Sequence, residues 1–349
     1  MDNGQTPPAP QPIVIKQGGG WAIRIIAFLG WMGLIFAGLI ILVQLAATAQ
    51  YFNEEDGVTE KFYSGDKLAS DKIALIRVEG LIMQGEGYIR NQIELAQKDK
   101  DVKAVVLRVD SPGGSVSASD YIYHHLNELR EEREIPLVVS MGSSATSGGY
   151  YVAMAVGDEK DVIYAEPTTI TGSIGVIIPH YDITGLLEEY HIKDDSIASH
   201  ERKQMLSMTR TMTPDQRDLV QGLVNDMFTR FKDVVKTGRP AYVEDPEKLN
   251  ELATGEIYMA DQAVDLGLVD KIGFVEAAIG RAAELADLDV KKTRVVSYTK
   301  PTSLFSLGSA TAASPTQSLM KAVIDTTSPK AYYLDSSLPA LTAGMAAAQ

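Results

Sequence analysis

Hydrophobic and polar residues divide this chain into one long apolar run near the N-terminus and a much longer region of short apolar segments. No charged residue occurs from Ile25 to Val43, and the stretch stays uncharged as far as Asn53. Because a helix rises about 1.5 Å per residue, about 20 apolar residues cross a hydrocarbon core about 30 Å thick. The pattern predicts a transmembrane anchor over residues 21–50.

The charges that flank this run predict its orientation. Lys16 and Arg24 precede it, and three carboxylates follow it at residues 54–56. Positive residues favour the cytoplasmic side, so we expect a cytoplasmic N-terminus and an extracytoplasmic remainder. A signal peptide cleaved after Ala49 is the alternative, because Ala47-Thr48-Ala49 has the small-x-small form of a cleavage site. The run is longer than the usual apolar region of about 7–15 residues, which favours a retained anchor.

Beyond the anchor, short β-branched runs alternate with a helical pattern. Ile73–Val78, Ala104–Val109 and Leu137–Ser140 lack a clear polar face, as buried parallel strands do. Between the second and third runs, Ser115–Arg133 has apolar residues at helical spacing. Strand, helix and strand in this order predict right-handed βαβ crossovers and an α/β fold.

A further helix is predicted over Pro214–Lys236. Thr213 is a good N-cap, Gln216 completes a capping box, and Gly238 suits the C′ position that ends a helix. The apolar residues of this segment form one stripe, which we interpret as the face of a core helix.

The flanking segments have the composition of tails and linkers. Residues 1–20 are rich in Pro, Gln and Gly and are predicted to be a disordered cytoplasmic tail. Residues 51–71 form a polar linker, residues 72–301 the extracytoplasmic domain, and residues 302–349 a low-complexity tail rich in Ser, Thr, Ala and Pro. Within that tail, Ala331–Leu334 is apolar enough to dock somewhere.

Composition excludes several classes of protein. The 349 residues include no cysteine, so thiolate metal sites and cysteine nucleophiles are excluded. Asp plus Glu outnumber Lys plus Arg by 46 to 32, and this acidic balance argues against nucleic-acid binding.

Three glycine-bearing segments could carry chemistry, namely Asp110–Ser115, Ser140–Tyr151 and Thr171–Val176. Each follows or borders a predicted strand, where backbone N–H groups can face a developing negative charge. Ser147 lies near the start of an apolar helix, which suits either an N-cap or a nucleophile.

A catalytic serine needs a base, and the spacing of residues leaves the base open. The five histidines permit a Ser-His-acid hydrolase, because Ala145-x-Ser147-x-Gly149 is one substitution from the G-x-S-x-G elbow. The lysines, Lys203 among them, permit a Ser-Lys pair in which burial makes the amine a base.

Taken together, these segments resemble the bacterial signal peptide peptidase family, the SppA-type membrane serine proteases, and more distantly ClpP and the crotonase superfamily. The matching stretches are Arg108–Gly114, Ser147–Tyr151, Thr171–Val176, Gly255–Tyr258 and Ala263–Asp270. The resemblance implies an α/β core of repeated ββα units wound into a ClpP/crotonase-like spiral, preceded by one transmembrane helix.

The resemblance also implies roles for particular residues and requires no metal or cofactor. The implied roles are nucleophile for Ser147, general base for Lys203, oxyanion hole for the amides of Gly114, Gly113 and Gly148, and orientation of the lysine for Ser173. The family usually has a glycine shortly before this lysine and a small residue after it, whereas this chain has Glu201-Arg202-Lys203-Gln204. Lys193 is the alternative base.

The implied activity is that of a serine endopeptidase, single-pass in the plasma (inner) membrane. It would degrade leftover signal peptides and other unfolded apolar peptides through an acyl-enzyme, as a ring-like homo-oligomer. Three alternatives stay open: a protease of the same fold that acts on other membrane proteins, a crotonase-type acyl-CoA enzyme, and a non-catalytic scaffold.

Overall fold

A computed structural model of the protein describes residues 20–53, 57–300 and 332–334. The chain forms two compact units, Met1–Glu55 and Asp56–Gln349. The tail predicted over residues 1–20 lies almost wholly outside the described residues, and so does most of the tail predicted over residues 302–349.

The described part of the first unit is a single helix, α1, which spans Gly20–Asn53. Every side chain from Arg24 to Leu42 is exposed, and this stretch has a mean hydropathy of 2.6. By length and composition α1 could cross a membrane. A helix that is apolar on every face needs a lipid or protein environment, since water would solvate none of its faces well.

The second unit contains both helices and strands. Its helices are α2 (Tyr88–Lys98), α3 (Val116–Arg133), α4 (Gly148–Ala153), α5 (Thr184–Glu189), α6 (Pro214–Gly238), α7 (Ala241–Glu244), α8 (Pro246–Leu252), α9 (Ala260–Leu266) and α10 (Val275–Leu285). Its strands are β1 (Thr59–Gly65), β2 (Lys72–Glu79), β3 (Val102–Ser111), β4 (Gly113–Ser115), β5 (Leu137–Thr146), β6 (Ile163–Ala165), β7 (Ile170–Gly172), β8 (Ile257–Met259), β9 (Lys271–Ile272), β10 (Arg294–Thr299) and β11 (Tyr332–Leu334). Short 3-10 turns occur at Met154–Val156, Glu201–Gln204 and Val290–Lys292.

Most of these strands form one sheet in the order β1-β10-β2-β3-β5-β6-β9. The central strands β2, β3, β5 and β6 are parallel neighbours, and β7 pairs in parallel with the end of β5. The three strands predicted from the sequence are β2, β3 and β5, so the α/β prediction is confirmed. Strand β5 runs six residues beyond its predicted end, to Thr146, and thereby delivers the chain to Ser147.

Burial accounts for the apolar runs of the central strands. Side chains such as Leu75, Val106 and Val139 are fully buried, because α2 packs on β2 while α10 packs across β3, β5 and β6. A strand in the middle of a parallel sheet has no face in water, so both sets of alternating side chains are apolar. Each large aliphatic side chain buried in this way stabilises the fold by about 1.5–3 kcal/mol.

Two predicted helices have the caps expected of them. Ser115 caps α3, since its hydroxyl accepts a hydrogen bond from the Ala118 N–H at 3.3 Å. Thr213 and Gln216 form the capping box of α6, with backbone-to-side-chain distances of 3.1 and 3.3 Å. These local bonds satisfy N–H groups that a helix start leaves unpaired.

Three sequence-based expectations are corrected by the structure. The predicted linker over residues 51–71 contains β1, a polar edge strand that pairs antiparallel with β10. Gly238 is the last residue of α6 and not a left-handed C′ residue; a Cβ there would lie 2.8 Å from Met154 Sδ, so close packing requires the glycine. The apolar stripe of α6 is only partly core: Phe231, Val234 and Val235 are buried, whereas Leu219 and Leu223 are exposed.

Candidate active site

Ser147 occupies a sharp turn between β5 and α4. Its φ is 53° and its ψ is −114°, a combination that L-residues adopt rarely and at a cost of about 1–3 kcal/mol. The Ser147 N–H donates to the Gly172 carbonyl at 2.8 Å, and the Ser147 carbonyl accepts from the Tyr151 N–H at 2.8 Å. Strand β5 and helix α4 thus hold the turn from both sides. Nucleophilic serines in strand-turn-helix elbows are held in the same way.

The Ser147 side chain is fully buried, and its hydroxyl makes no hydrogen bond to any residue that the structure describes. Buried polar groups are almost always paired, so an unpaired one calls for a functional reason. A hydroxyl that is held in place but makes no hydrogen bond is free to donate its proton to a base and to attack a carbonyl carbon.

Glycines allow the loop after β3 to lie directly against this elbow. A Cβ on Gly148 would lie 2.5 Å from Ser119 Oγ and 3.1 Å from the Gly114 nitrogen. A Cβ on Gly149 would lie 2.7 Å from the Ser111 carbonyl oxygen. The Gly114 and Gly148 backbones therefore lie against each other beside Ser147, and a side chain at position 148 would require its neighbours to shift.

The three glycines predicted for the oxyanion hole differ in what their amides do. Gly148 is the first residue of α4, where no carbonyl of the helix lies four residues earlier to accept its N–H. Gly114 is the central residue of β4. On either side of it, the Gly113 carbonyl accepts from the Ile82 N–H and the Ser115 N–H donates to the Ile82 carbonyl. The Gly113 N–H donates to Ser111 Oγ at 3.1 Å, so this amide is already engaged.

Ser173 lies next to Ser147 across the sheet. Thr146 and Gly172 are register partners in the parallel pair β5–β7, so the two serines follow paired positions. Ser173 also has a φ of 53°, and its N–H donates to the Glu256 carbonyl at 2.7 Å. Its position beside Ser147 is compatible with contact to a base that approaches the nucleophile.

Neither candidate lysine reaches Ser147 within one chain. Lys203 is exposed in the 3-10 turn Glu201–Gln204, and Lys193 is exposed ten residues earlier. Both belong to the segment of residues 177–212, which leaves the core after β7 and returns at α6; we name it the Lys203 arm. The structure thus brings together Ser147, Ser173, Gly114 and Gly148, but neither candidate lysine.

Hydrogen bonds close the base of the Lys203 arm. The Ile183 N–H donates to the Met208 carbonyl at 2.9 Å. Asp194 accepts from Arg210 Nε at 2.9 Å and from the Thr209 hydroxyl at 2.7 Å. These bonds, that of Arg210 foremost, hold the pKa of the Asp194 carboxyl well below its usual range. Asp194 is therefore ionised at neutral pH and ties together the two ends of the stretch that carries Lys203.

Apolar side chains on the Lys203 arm face solvent. Tyr190 and Ile192 are more than half exposed, and Ile197 is fully exposed. Leu219 and Leu223, in the first half of α6, are exposed as well. Large apolar side chains that face solvent together are typical of protein interfaces.

None of the five histidines is hydrogen-bonded to the Ser147 hydroxyl in this chain. His124 and His125, on α3, both contact Glu128, at 3.2 Å and 2.5 Å. These three groups lie close enough to hold a metal ion, but they are paired with one another. His180 contacts the Ser207 carbonyl, and His200 accepts from the Arg202 N–H.

Sequence reasoning missed two supporting serines. Ser111 Oγ accepts the Gly113 N–H and so shapes the turn into β4. Ser119 donates to the Ser115 carbonyl at 3.0 Å and packs beneath Gly148. The i, i+4 spacing of Ser115 and Ser119 on one helix is a signal that could have placed the second of them.

The comparisons with known proteins cover the region of the chain that contains these residues. Residues 130–289, which include Ser147, Ser173 and Lys203, match peptidase family S49. The chain is 37% identical over 230 residues to a Synechocystis protein provisionally named a protease. The matched region covers 66% of this chain and 80% of that protein. It is 31% identical over 273 residues to an Enterococcus faecium protein provisionally named signal peptide peptidase SppA, covering 70% of this chain and 77% of that one.

A longer relative shares the same region. Protease 4 of Salmonella typhi is 35% identical over 224 residues, which is 62% of this chain but 35% of protease 4. The fold and the relatives define the class of this protein as a peptidase with an α/β fold. More narrowly, the chain belongs to peptidase family S49, the signal peptide peptidase SppA family.

Proposed function

We propose that the protein is a membrane-anchored serine endopeptidase with Ser147 as nucleophile and Lys203 as general base. The observation that carries this proposal is the Ser147 hydroxyl, which is buried, unbonded among the described residues, and held on a strained elbow. Strain is retained at functional sites when the surrounding structure enforces it. Here β5, β7 and α4 enforce it.

The chemistry follows from the groups around Ser147. The neutral Lys203 amine takes the Ser147 proton while Oγ bonds to the peptide carbonyl carbon. The N–H groups of Gly114 and Gly148 stabilise the oxyanion, and each such donor contributes about 10²–10³ in rate. The C–N bond then breaks as the lysine returns the proton to the leaving amine. Water, activated by the same lysine, hydrolyses the acyl-enzyme. Ser173 orients the amine.

The base comes from a second copy of the chain. Within one chain Lys203 is exposed, and the Ser147 hydroxyl has no hydrogen-bond partner among the described residues. A lysine amine becomes a base when burial disfavours its charged form. The exposed apolar residues of the Lys203 arm supply a surface whose packing against a neighbour provides that burial. Repetition of this head-to-tail contact closes a ring-like homo-oligomer.

The substrate class follows from the anchor and the family. We assign α1 as a single-pass anchor in the plasma (inner) membrane, with residues 1–20 as its cytoplasmic tail. Residues 72–301 are the extracytoplasmic protease domain, whose parallel strands and crossover helices suit the ClpP/crotonase-like spiral. Such an enzyme degrades leftover signal peptides and other unfolded apolar peptides. Cleavage of other membrane proteins by the same site is the second candidate; its support is the same anchor.

Complementation tests the shared dyad. Ser147→Ala and Lys203→Met chains are each expected to lose peptide hydrolysis, whereas Lys193→Met, the matched control, keeps it. Co-expression of the two inactive chains restores about a quarter of the sites, if each site draws its serine and lysine from different copies. Loss of activity in Lys193→Met instead of Lys203→Met would reassign the base. Activity that survives Ser147→Ala removes the proposal altogether.

A further inference from the structure

Three side chains with metal-ligating atoms meet on one face of α3. One carboxylate oxygen of Glu128 lies 3.2 Å from His124 Nε2, and the other lies 2.5 Å from His125 Nδ1. One ligand atom from each of the three residues lies within 4.8 Å of the other two. The ligands of a tetrahedral Zn²⁺ ion are about 3.3 Å apart. Small rotations of these side chains therefore bring all three ligand atoms onto one ion.

The helix and its neighbours hold this arrangement in place. Glu128 follows His124 by four residues and His125 by three, and residues at these spacings share one face of an α-helix. The Tyr121 ring packs edge-on against His125, with ring centroids 4.4 Å apart. Tyr121 in turn lies against Gly85, where a Cβ would come within 2.6 Å of its ring. His125 is thus anchored before a metal arrives, which lowers the entropy cost of binding.

The charge of Glu128 favours a cation. The hydrogen bond with His125 holds the pKa of the Glu128 carboxyl below its usual value, and the charges of His124 and Arg90 act in the same direction. Glu128 is therefore ionised at neutral pH. Arg90, which faces this group from α2, is paired with Glu94 at 3.0 Å, so its positive charge is largely balanced.

The kinds of ligand atom define the class of metal. Two imidazole nitrogens and one carboxylate are a known zinc donor set, in which water takes the fourth position. Mg²⁺ and Ca²⁺ prefer oxygen ligands throughout. The chain has no cysteine, so no thiolate competes for zinc elsewhere.

Space for the water ligand lies beside His124, whose side chain is 61% exposed. His124 lines a cavity of about 340 Å³, far larger than the roughly 30 Å³ of one water molecule. We propose that His124, His125 and Glu128 bind a Zn²⁺ ion, with water completing its coordination. The proton in the His125–Glu128 hydrogen bond leaves Nδ1 as the metal binds there, because a ligand nitrogen must be unprotonated. This site is independent of the proposed peptidase function.

The test uses the full chain in detergent, stripped of metal with a chelator and dialysed. Titration calorimetry with ZnCl₂ is expected to show one strong site per chain, and excess MgCl₂ or CaCl₂ should not compete. His124→Gln and Glu128→Gln each remove one ligand and should weaken zinc binding about 100-fold. Both side chains are at least 40% exposed, so the fold should persist. The matched controls are Glu131→Gln, exposed on the same helix, and His200→Gln, exposed on the Lys203 arm.

Two further measurements report on the bound metal. X-ray absorption of the zinc-loaded chain should show two imidazoles per zinc, at about 2.0–2.1 Å. Zinc at about 100 times its Kd should raise the unfolding temperature of the wild-type chain by about 4 °C. The same zinc concentration should leave the unfolding temperature of His124→Gln nearly unchanged.

Three outcomes would overturn the site. They are a wild-type chain that binds no zinc, equal zinc affinity in the wild type, His124→Gln and Glu128→Gln, and a loss of binding confined to His200→Gln, which would place the metal on the Lys203 arm. Peptide hydrolysis does not enter the measurement. A zinc site can therefore be established in a chain that cleaves no peptide, and rejected in one that does.

Discussion

Ser147 and Ser173 leave two adjacent parallel strands at the same level, each with a φ of 53°. The Ser147 N–H donates to the carbonyl of Gly172, the residue before Ser173, at 2.8 Å. One sheet register, Thr146 opposite Gly172, therefore positions both hydroxyl-bearing residues. The candidate nucleophile and the residue assigned to orient its base are parts of one rigid unit.

The backbone strain at Ser147 predicts that glycine at this position gives a more stable protein than alanine does, although both variants are inactive. Ser147→Gly should unfold about 2–4 °C above Ser147→Ala, because glycine adopts a positive φ without the cost of about 1 kcal/mol or more that alanine keeps. Both variants should lose at least 10³-fold in peptide hydrolysis. Thermal unfolding in detergent and a fluorogenic peptide assay measure the two effects. Equal melting temperatures would show that the turn is unstrained.

The contact between Gly148 and strand β4 predicts that a methyl group added at position 148 is harmful. In Gly148→Ala the new Cβ would meet Ser119 Oγ at 2.5 Å and the Gly114 nitrogen at 3.1 Å. Separation of the two amides should lower kcat about 100-fold or more and destabilise the fold by about 1–3 kcal/mol.

Gly222→Ala is the matched control for this substitution. Gly222 lies within α6, and a Cβ there meets no atom within 4 Å. The Gly222→Ala chain should keep its activity, and its α6 should be more stable by about 0.5–1 kcal/mol. Full activity in Gly148→Ala would argue against the assigned oxyanion hole.

The Asp194 carboxylate predicts how the Lys203 arm responds to pH. Its folded pKa lies below the ordinary value, so its contribution to stability is complete above that value, near 3.9, and is lost as pH falls through the folded pKa. Protection of arm amides against hydrogen exchange should therefore be equal at pH 7 and pH 5.

Asp194→Asn removes this charge at every pH. Arm amides between Ser196 and Met208 should then exchange faster, and kcat should fall several-fold because Lys203 is less well positioned. Asp195→Asn, one residue along and exposed, is the control and should change neither quantity. A protected arm in Asp194→Asn would show that Asp194 does not hold it.

The exposed apolar surface of the Lys203 arm predicts that assembly and activity are lost together. Ile197→Glu places a charge on a fully exposed side chain, so the folded chain should persist while the oligomer dissociates. Light scattering in detergent measures the mass, and peptide hydrolysis measures the activity. Val243→Glu, exposed on α7 outside the arm, should alter neither. A monomeric Ile197→Glu chain with full activity would contradict a shared dyad.

Several features of the fold could be predicted from local sequence. The three buried strands were recognisable because both faces of a central parallel strand are apolar, and α6 because Thr213 and Gln216 satisfy the amides of its first turn. Strand β1 could not be recognised, since an edge strand with polar residues on both faces has no hydrophobic period. Its pairing with β10 joins segments more than 200 residues apart, which no local pattern encodes.

The sequence by itself determined where glycine permits backbone conformations that other residues avoid, where the apolar runs end, and that a serine follows a buried strand. These are properties of short segments, and chain geometry constrains them directly. Only the tertiary structure decided that Gly114 and Gly148 touch, that Ser147 and Ser173 share one register, and that Lys203 stands apart from both. These relationships depend on which distant segments pack together, and burial of the whole core selects that packing rather than any local preference.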